Sequence, residues 1–479
     1  MTLTPALMAH QEEGVAFLTT EKSGLLAFEQ GLGKTLVAIR AFAGLRANGN
    51  AVGMLVICPN SLKQNWAAEI AKFEPTLSFE IIEGSARERR RALSSVSAPV
   101  VVLSYETGRI EIAGVLALLK RRPTVLVLDE SHAVKNRRSL TSIAAQHYAP
   151  LCEYRWLLSG TPVTNTAADL YAQLRVITAG EKFGNFDSFV VAANSPEGLE
   201  ALRVRCAPFI MRRTKDDCLD LPDKTMTDLR VELPPWQRRL YDEMRDKLVC
   251  EIKAMTGEQF RAHAPTVLVK LLRLSQIASN PALILPTEPR VPAKFQELDC
   301  LIDEIIGGTA REKLIIWSMY VETIEHLTER YAALAPLVLY GGTPVGDRTG
   351  IAERFQTDPS SRLLLANPGV AGSGFTLTAA RYCVYETVSW RYDFFAQSQD
   401  RIHRIGQERA VTCLRLIAAD TIEEVIASAL DRKASVARVL LGDSDPAVST
   451  ATLSREQVLE ILVTNKLPTT LTSLQQEEN

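Results

Sequence analysis

The chain has 479 residues, 46% hydrophobic and 23% charged, with 54 basic and 56 acidic side chains and a formal net charge of −2. That length leaves room for about three globular domains. The near-neutral balance excludes a protein coated in positive charge, so any nucleic-acid contact must be local to a groove. No apolar run approaches the roughly 20 residues of a membrane span, and Met1-Thr-Leu-Thr-Pro-Ala lacks the charged-then-apolar order of a signal peptide. A cytoplasmic protein with no membrane partner is expected. The 8 cysteines are scattered without C-x-x-C spacing, which predicts small buried hydrophobes rather than a zinc knuckle or a disulfide framework.

In chain order, the apolar run from Gly24 to Phe28 predicts a strand and Leu36 to Leu45 a helix, with Glu29-Gln-Gly-Leu-Gly-Lys-Thr35 between them. That is where a nucleotide phosphate cradle belongs. Gly31 and Gly33 let backbone N–H groups turn toward phosphate oxygens, Lys34 supplies a point charge, and Thr35 offers a hydroxyl to Mg²⁺. The full phosphate-loop pattern also wants a glycine where Phe28 stands. Strands follow at Gly53 to Cys58 and Val100 to Ser104. Arg87-Glu-Arg-Arg-Arg91, mixed with acid, predicts a solvated helix face.

Pro123-Thr-Val-Leu-Val-Leu128 is the apolar, β-branched run of a buried parallel strand, and it ends in Asp129-Glu130-Ser131-His132. Asp129 suits a Mg²⁺ ligand, and Glu130 suits the group that orients and deprotonates the attacking water in phosphoanhydride hydrolysis. Arg121-Arg122 and Lys135-Asn136-Arg-Arg138 are expected to flank this tip and to meet phosphates. Arg155 to Ser159 closes a first α/β lobe, residues 1–178. Residues 179–295 turn to helix-period stretches such as Trp236 to Met255 and Val267 to Ile277, broken by prolines, and predict a helical insertion.

The strand-helix alternation returns in residues 296–441, with strands at Lys313 to Trp317, Pro336 to Tyr340, Arg362 to Ala366, Tyr382 to Glu386 and Val411 to Ile417. The expected fold is α/β: two parallel-sheet lobes with an ATP cleft between them and helical protrusions inserted. Such a cleft needs charge from the second lobe at the transition state. Gln397, Asp400, Arg401 and Arg404 recur at helical spacing in Gln397-Ser-Gln-Asp-Arg-Ile-His-Arg-Ile-Gly-Gln407 and are read as one polar helix face bearing arginine fingers. Residues 442–479 form a tail with one amphipathic helix, Ser454 to Asn465.

These motifs together resemble the Swi/Snf-type family of superfamily-two ATPases, duplex-DNA translocases built of two RecA-like lobes. Leu7-Met-Ala-His-Gln11-x-x-Gly14 resembles the family's adenine-side glutamine motif, and Cys58-Pro-Asn-Ser-Leu-Lys-Gln-Asn-Trp66 its first DNA-facing motif. Leu158-Ser-Gly-Thr-Pro162 resembles the motif coupling hydrolysis to lobe movement. Met211-Arg-Arg-Thr-Lys215 with Leu221-Pro222 resembles the brace into the second protrusion. Leu271 to Pro281, Gly369 to Thr378 and the His-Arg-Ile-Gly-Gln run ending at Gln407 complete the series.

The resemblance implies ATP and Mg²⁺ as cofactors, with Gln11 on adenine, Gly31, Leu32, Gly33, Lys34 and Thr35 on phosphates, and Gln397 and Gly374 also contacting nucleotide. Catalysis would rest on Glu130, Asp129 and Lys34, completed by Arg401 and Arg404, with Thr35 and Asp129 on the metal. Ser159, Gly160 and Thr161 would couple the ATP state to DNA-facing loops. Ser61, Lys63, Asn65, Lys135, Asn136, Gly342, Thr343 and Ser373 would grip phosphates without reading bases. Ser131 stands where chromatin remodellers more often carry alanine or glycine, and a Ser-His ending is familiar from the annealing-helicase branch. The implied function is an ATP-dependent translocase on double-stranded DNA. The alternatives are a forked-DNA annealing or strand-separating helicase, with Phe183, Phe186 and Phe189 as a wedge, and an ATP-gated DNA clamp or scaffold. Partners would be double-stranded or forked DNA, and a protein bound through the helical insertion or the tail; a monomer suffices. The compact motor points to a bacterial cell or a phage-infected host rather than a nucleus.

Overall fold

In the computed structural model, residues 6–163, 168–180, 182–193, 195–308, 312–373, 375–388, 391–441 and 455–466 are described. The chain divides into two compact units, Met1–Asp220 with Ser435–Ser449 and Leu221–Ala434 with Thr450–Asn479, each built around its own parallel sheet. Among the described residues no helix is long and apolar enough to cross a membrane.

The first sheet contains β1 (Ser23–Phe28), β2 (Gly53–Cys58), β3 (Phe79–Ile81), β4 (Val100–Ser104), β5 (Thr124–Asp129), β6 (Arg155–Leu158) and β7 (Ile210–Arg213). Their spatial order is β3-β4-β2-β5-β6-β1-β7, all parallel. The central strands read as unbroken apolar runs because both faces are covered. Leu126 and Leu128 of β5 enter one core with Leu25, Leu55 and Leu157, while Val125 and Val127 enter another with Leu26, Val56 and Trp156. Two-residue periodicity thus distributes one strand between two helical layers.

The second sheet contains β8 (Lys224–Val231), β9 (Leu314–Trp317), β10 (Leu337–Leu339), β11 (Leu363–Ala366), β12 (Tyr382–Tyr385) and β13 (Val411–Ala418). Its order is β10-β11-β9-β12-β13-β8, again all parallel. Helix Gly257–Ser279 is fastened to it through buried polar groups. The fully buried Glu386 carboxylate after β12 accepts from Ser279 Oγ at 2.5 Å and from Ser318 Oγ, after β9, at 2.8 Å. Lys294, also fully buried, donates to the Glu386 carbonyl at 2.6 Å and pairs with Glu423 at 2.7 Å. Burying these charges without partners would cost several kcal/mol each, and here each of them has partners.

The segment expected to be a helical insertion does not pack as one body. Helices Phe186–Ala193 and Pro196–Cys206 share the core of the first sheet through Phe189, Leu199 and Leu202. Helices Pro235–Ala254 and Gly257–Ser279 join the second core through Tyr241, Leu248 and Leu274. Strands β7 and β8 lie between the two pairs in the chain. Of the cysteines, Cys250 and Cys300 are exposed and Cys218 half-buried, whereas Cys58, Cys152, Cys206, Cys383 and Cys413 are buried; all are free.

Candidate nucleotide site

The phosphate loop begins where β1 ends, and helix Lys34–Ala47 follows it. Gly31 and Gly33 have φ of 91° and 82°, the left-handed region that a side chain disfavours. At Gly33 a Cβ would also approach Gln11 Nε2 to 2.6 Å. Lys34 is buried, and its Nζ donates to the carbonyls of Phe28 at 2.9 Å and Glu29 at 3.3 Å, curling the loop over the strand end. Thr35, half-buried, is the second residue of that helix. Gln11, on helix Ala9–Thr20, donates to the carbonyl of the buried Leu32 at 3.3 Å and accepts from the Met8 N–H at 3.0 Å. It lies against the loop.

Asp129 ends β5 and Glu130 follows it with φ 49°, a backbone conformation that costs a non-glycine residue on the order of 1–2 kcal/mol. Asp129 Oδ2 accepts from Trp66 Nε1 at 2.8 Å and Oδ1 from the Glu130 N–H at 2.9 Å. Burial and the adjacent Glu130 charge push the Asp129 carboxyl up, against the Trp66 donor and the Lys34 charge. Glu130 goes the other way. Burial pushes its carboxyl up, but facing His132, the Lys34 charge and the Gln30 donor outweigh burial and hold it below the usual carboxylate range. Glu130 Oε1 accepts from Gln30 Nε2 at 2.6 Å; Oε2 is 3.4 Å from His132 Nδ1, and neither of these last two atoms has a hydrogen-bond partner within the protein.

Sheet order brings these groups together. β6 lies between β5 and β1, with Asp129 and Leu26 both in register with Leu158. The loops after β1, β5 and β6 therefore leave the same carboxyl edge side by side, the usual place for a ligand in a parallel sheet. A Cβ on Gly160 would meet the Gln30 backbone nitrogen at 3.2 Å. Ser159 is fully buried and its Oγ accepts from the Thr161 N–H at 3.2 Å, while buried Thr161 Oγ1 has no hydrogen-bond partner within the protein.

Buried oxygens and nitrogens left over at Glu130, His132 and Thr161 suit a site that takes a polar ligand and water. The hard oxygens of Thr35 and Asp129 suit Mg²⁺. Among the described residues no group of three or more His, Cys, Asp or Glu could hold a metal. Gln30, Trp66 and His132 were not singled out from the sequence as site residues. Their only signal was position inside or beside a recognised motif.

Other expected contacts fall unevenly. Lys63 is buried and paired with Glu83 at 2.9 Å, so its charge is already engaged; Ser61 is half-buried and Asn65 exposed. Asn136 is exposed and half-buried Lys135 precedes it, while the Arg137 guanidinium stacks on Phe186 at 4.4 Å. Arg121 and Arg122 do not flank the acidic tip. They precede β5 at its opposite end and donate to the carbonyls of Leu93, Ser94, Ser97 and Ala98. Nor is Arg89-Arg90 simply solvated, since both pair with Glu111 at 3.0 and 3.2 Å. Phe183 and Phe189 are buried core, in edge contact with each other. Phe186 packs edge-on against Tyr171, so this trio does not form an exposed wedge.

In the second unit Gln397 is buried in helix Tyr392–Gln399, but that helix stops before the arginines. Arg401 and Arg404 therefore do not share a helix face with Gln397. Beyond Gln399 the chain makes turns, Gly406 has φ 95°, and Gln407 Nε2 donates to the carbonyls of Thr378, Ala380 and Ile402, fastening the turns to the preceding loop. Arg401 is buried and Arg404 half-buried. Gly342 and Thr343 belong to a turn after β10, closed by the Thr343 N–H to the Tyr340 carbonyl at 3.0 Å and braced by Arg348. Ser373 ends a short 3₁₀ turn after β11; Gly374 lies outside the described residues.

Several known proteins are similar to this chain. The family profile of the SNF2-related domain matches residues 10–283, and that of the helicase conserved C-terminal domain matches residues 294–406. An uncharacterized ATP-dependent helicase of Mycoplasma pneumoniae is 29% identical over 91% of this chain and 42% of its own length. Its counterpart in Mycoplasma genitalium is 28% identical over 95% and 44%. This chain thus spans less than half of those relatives. A solved structure, the Sulfolobus solfataricus SWI2/SNF2 ATPase core in complex with dsDNA, is 27% identical, covering 92% of this chain and 94% of that one, with a TM-score of 0.43. With residues 10–283, more than half its length, matched by the SNF2-related profile and residues 294–406 by the helicase profile, the chain belongs to the SNF2-related family of superfamily-two helicase-type ATPases, and its two parallel α/β units are the RecA-like lobes.

Proposed function

We propose that this chain is an ATP-dependent translocase on double-stranded DNA. The observation that carries the reading is the convergence of three loops on one sheet edge: Gln30 of the phosphate loop bonded to Glu130, and Gly160 of the coupling segment packed on Gln30. Hydrolysis and the DNA-facing coupling segment would then be mechanically one assembly. In this reading Lys34 and the amides of Gly31 to Thr35 hold the phosphates, Gln11 orients the adenine, and Glu130 orients the attacking water. Mg²⁺, held by Thr35 and Asp129, would neutralise charge developing on the phosphates. Arg401 and Arg404 would supply further positive charge. Asn65, Ser61, Thr343 and backbone amides would hold the sugar-phosphate track.

The deciding experiment is steady-state ATP hydrolysis with no nucleic acid and with matched duplex DNA, single-stranded DNA, forked DNA and RNA. Duplex DNA is expected to stimulate most, and the stimulation to weaken as salt rises because phosphate contacts release counterions. A fork preference would favour the annealing or strand-separating alternative, and indifference to every nucleic acid would refute the translocase.

Trp66 gives a finer prediction. Trp66→Phe keeps a buried aromatic ring and removes the donor to Asp129 Oδ2. Loss of a partner that orients a metal ligand typically costs 10–100-fold in metal affinity, so the Mg²⁺ concentration for half-maximal turnover should rise about 10-fold. An unchanged Mg²⁺ titration would remove Trp66 from the site.

A further inference from the structure

Gln173 lies in helix Asp169–Thr178 among the buried Leu170, Tyr171, Ala172 and Leu174, and is itself fully buried. A carboxamide there is costly unless its bonds are made. They are. Its Nε2 donates to the carbonyls of Pro162 at 2.7 Å and Asp169 at 3.0 Å, and its Oε1 faces Ser131 Oγ at 2.7 Å. Carbonyls only accept, so the amide nitrogen must face Pro162 and Asp169, and the fully buried Ser131 hydroxyl must be the donor to Oε1.

One side chain thus ties the end of the Ser159–Pro162 segment to the residue that follows Glu130. Both ends of this tie are under local demand. Glu130 holds a left-handed backbone, and Thr161 Oγ1 is buried with no hydrogen-bond partner within the protein. A shift of the segment that satisfies Thr161 would pull on Gln173, and through Ser131 on the turn that aims the Glu130 carboxylate. Packed interiors pass such displacements on rather than absorb them.

We propose that Gln173 is a positioning residue, linking the coupling segment to Glu130 so that stimulation of hydrolysis by DNA, rather than basal hydrolysis, depends on it. The proposal rests on the translocase reading above. It also gives Ser131 a task that alanine or glycine at that position would lack, since neither can donate to Gln173.

The test uses the full chain with Gln173→Leu, Ser131→Ala and the double variant, measuring kcat and KM for ATP with and without saturating duplex DNA, and thermal midpoints. Each single variant should keep basal kcat and KM within about 2-fold and lose about 10-fold in DNA-stimulated kcat, because removing one partner of a coupled pair breaks the link. The double variant should lose no more than either single one. Wild-type stimulation in the single variants would overturn the proposal, as would additive losses in the double. Equal loss of basal and stimulated rates with a lowered thermal midpoint would show a merely structural bond and overturn it too. A wild-type chain that DNA fails to stimulate would instead sink the translocase reading, and this proposal with it.

Discussion

Replacing Glu130 with glutamine should lower ATP turnover by about 10³-fold, within the 10²–10⁴ that a positioned acid-base group contributes, while ATP binding is retained. The substitution is nearly isosteric, and the carboxamide oxygen it introduces can still accept from Gln30 where Glu130 Oε1 does at 2.6 Å. What is lost is negative charge facing the water. Because His132, Lys34 and Gln30 outweigh burial and hold the Glu130 carboxyl below its usual range, it is ionised throughout the neutral range and acts more by orienting and polarising water than by holding a proton strongly. Lys34→Ala is the contrasting variant. It removes the cation curled against Phe28 and Glu29, so turnover and nucleotide affinity should fall together. Single-turnover hydrolysis with a parallel nucleotide-binding assay separates the two, and normal turnover in Glu130→Gln would falsify the assignment of the acidic pair.

Arg401→Lys and Arg404→Lys should each reduce kcat by about 10³-fold or more, with little change in ATP affinity, the range known for arginines that stabilise phosphoryl-transfer charge being 10³–10⁵. Lysine keeps the charge but not the planar fork of donors. The lysine variants are preferred to alanine because Arg401 is buried and the Leu377 N–H bonds its carbonyl at 2.9 Å, so a large truncation there risks disturbing the turn. If both variants hydrolyse ATP at the wild-type rate with an unchanged thermal midpoint, neither arginine acts at the transition state.

Central strands and motif-bearing loops could be read from the residues alone. β2, β4, β9, β11 and β12 fall within a residue or so of their expected bounds, because a strand covered on both faces must be apolar at every position and no other short element has that requirement. Glycines at 31 and 33, and the acidic pair at the β5 tip, were equally legible, since their backbone and charge demands are local. The strands that escaped, β3, β7 and β8, are all at sheet edges. β7 ends in Arg212-Arg213, and β8, Lys224–Val231, is largely exposed. An edge strand needs only one neighbour and less cover, so these three carry little apolar signal, unlike the edge strand β10, which is Leu-Val-Leu throughout.

Side-chain partnerships were decided by tertiary structure. Gln30 and Glu130 are 100 positions apart, Trp66 and Asp129 are 63 apart, and Ser131 and Gln173 are 42 apart. No periodicity spans such separations; sheet order closes them by setting β6 between β5 and β1. The same holds for Arg401 and Arg404. Their spacing suggested one helix face, but the helix ends at Gln399, and the turns that follow are held by Gln407 through the carbonyls of Thr378, Ala380 and Ile402. Local sequence set the chemistry each loop carries. Long-range hydrogen bonding and sheet order set which of those groups meet, because those bonds join residues whose separation along the chain carries no signal.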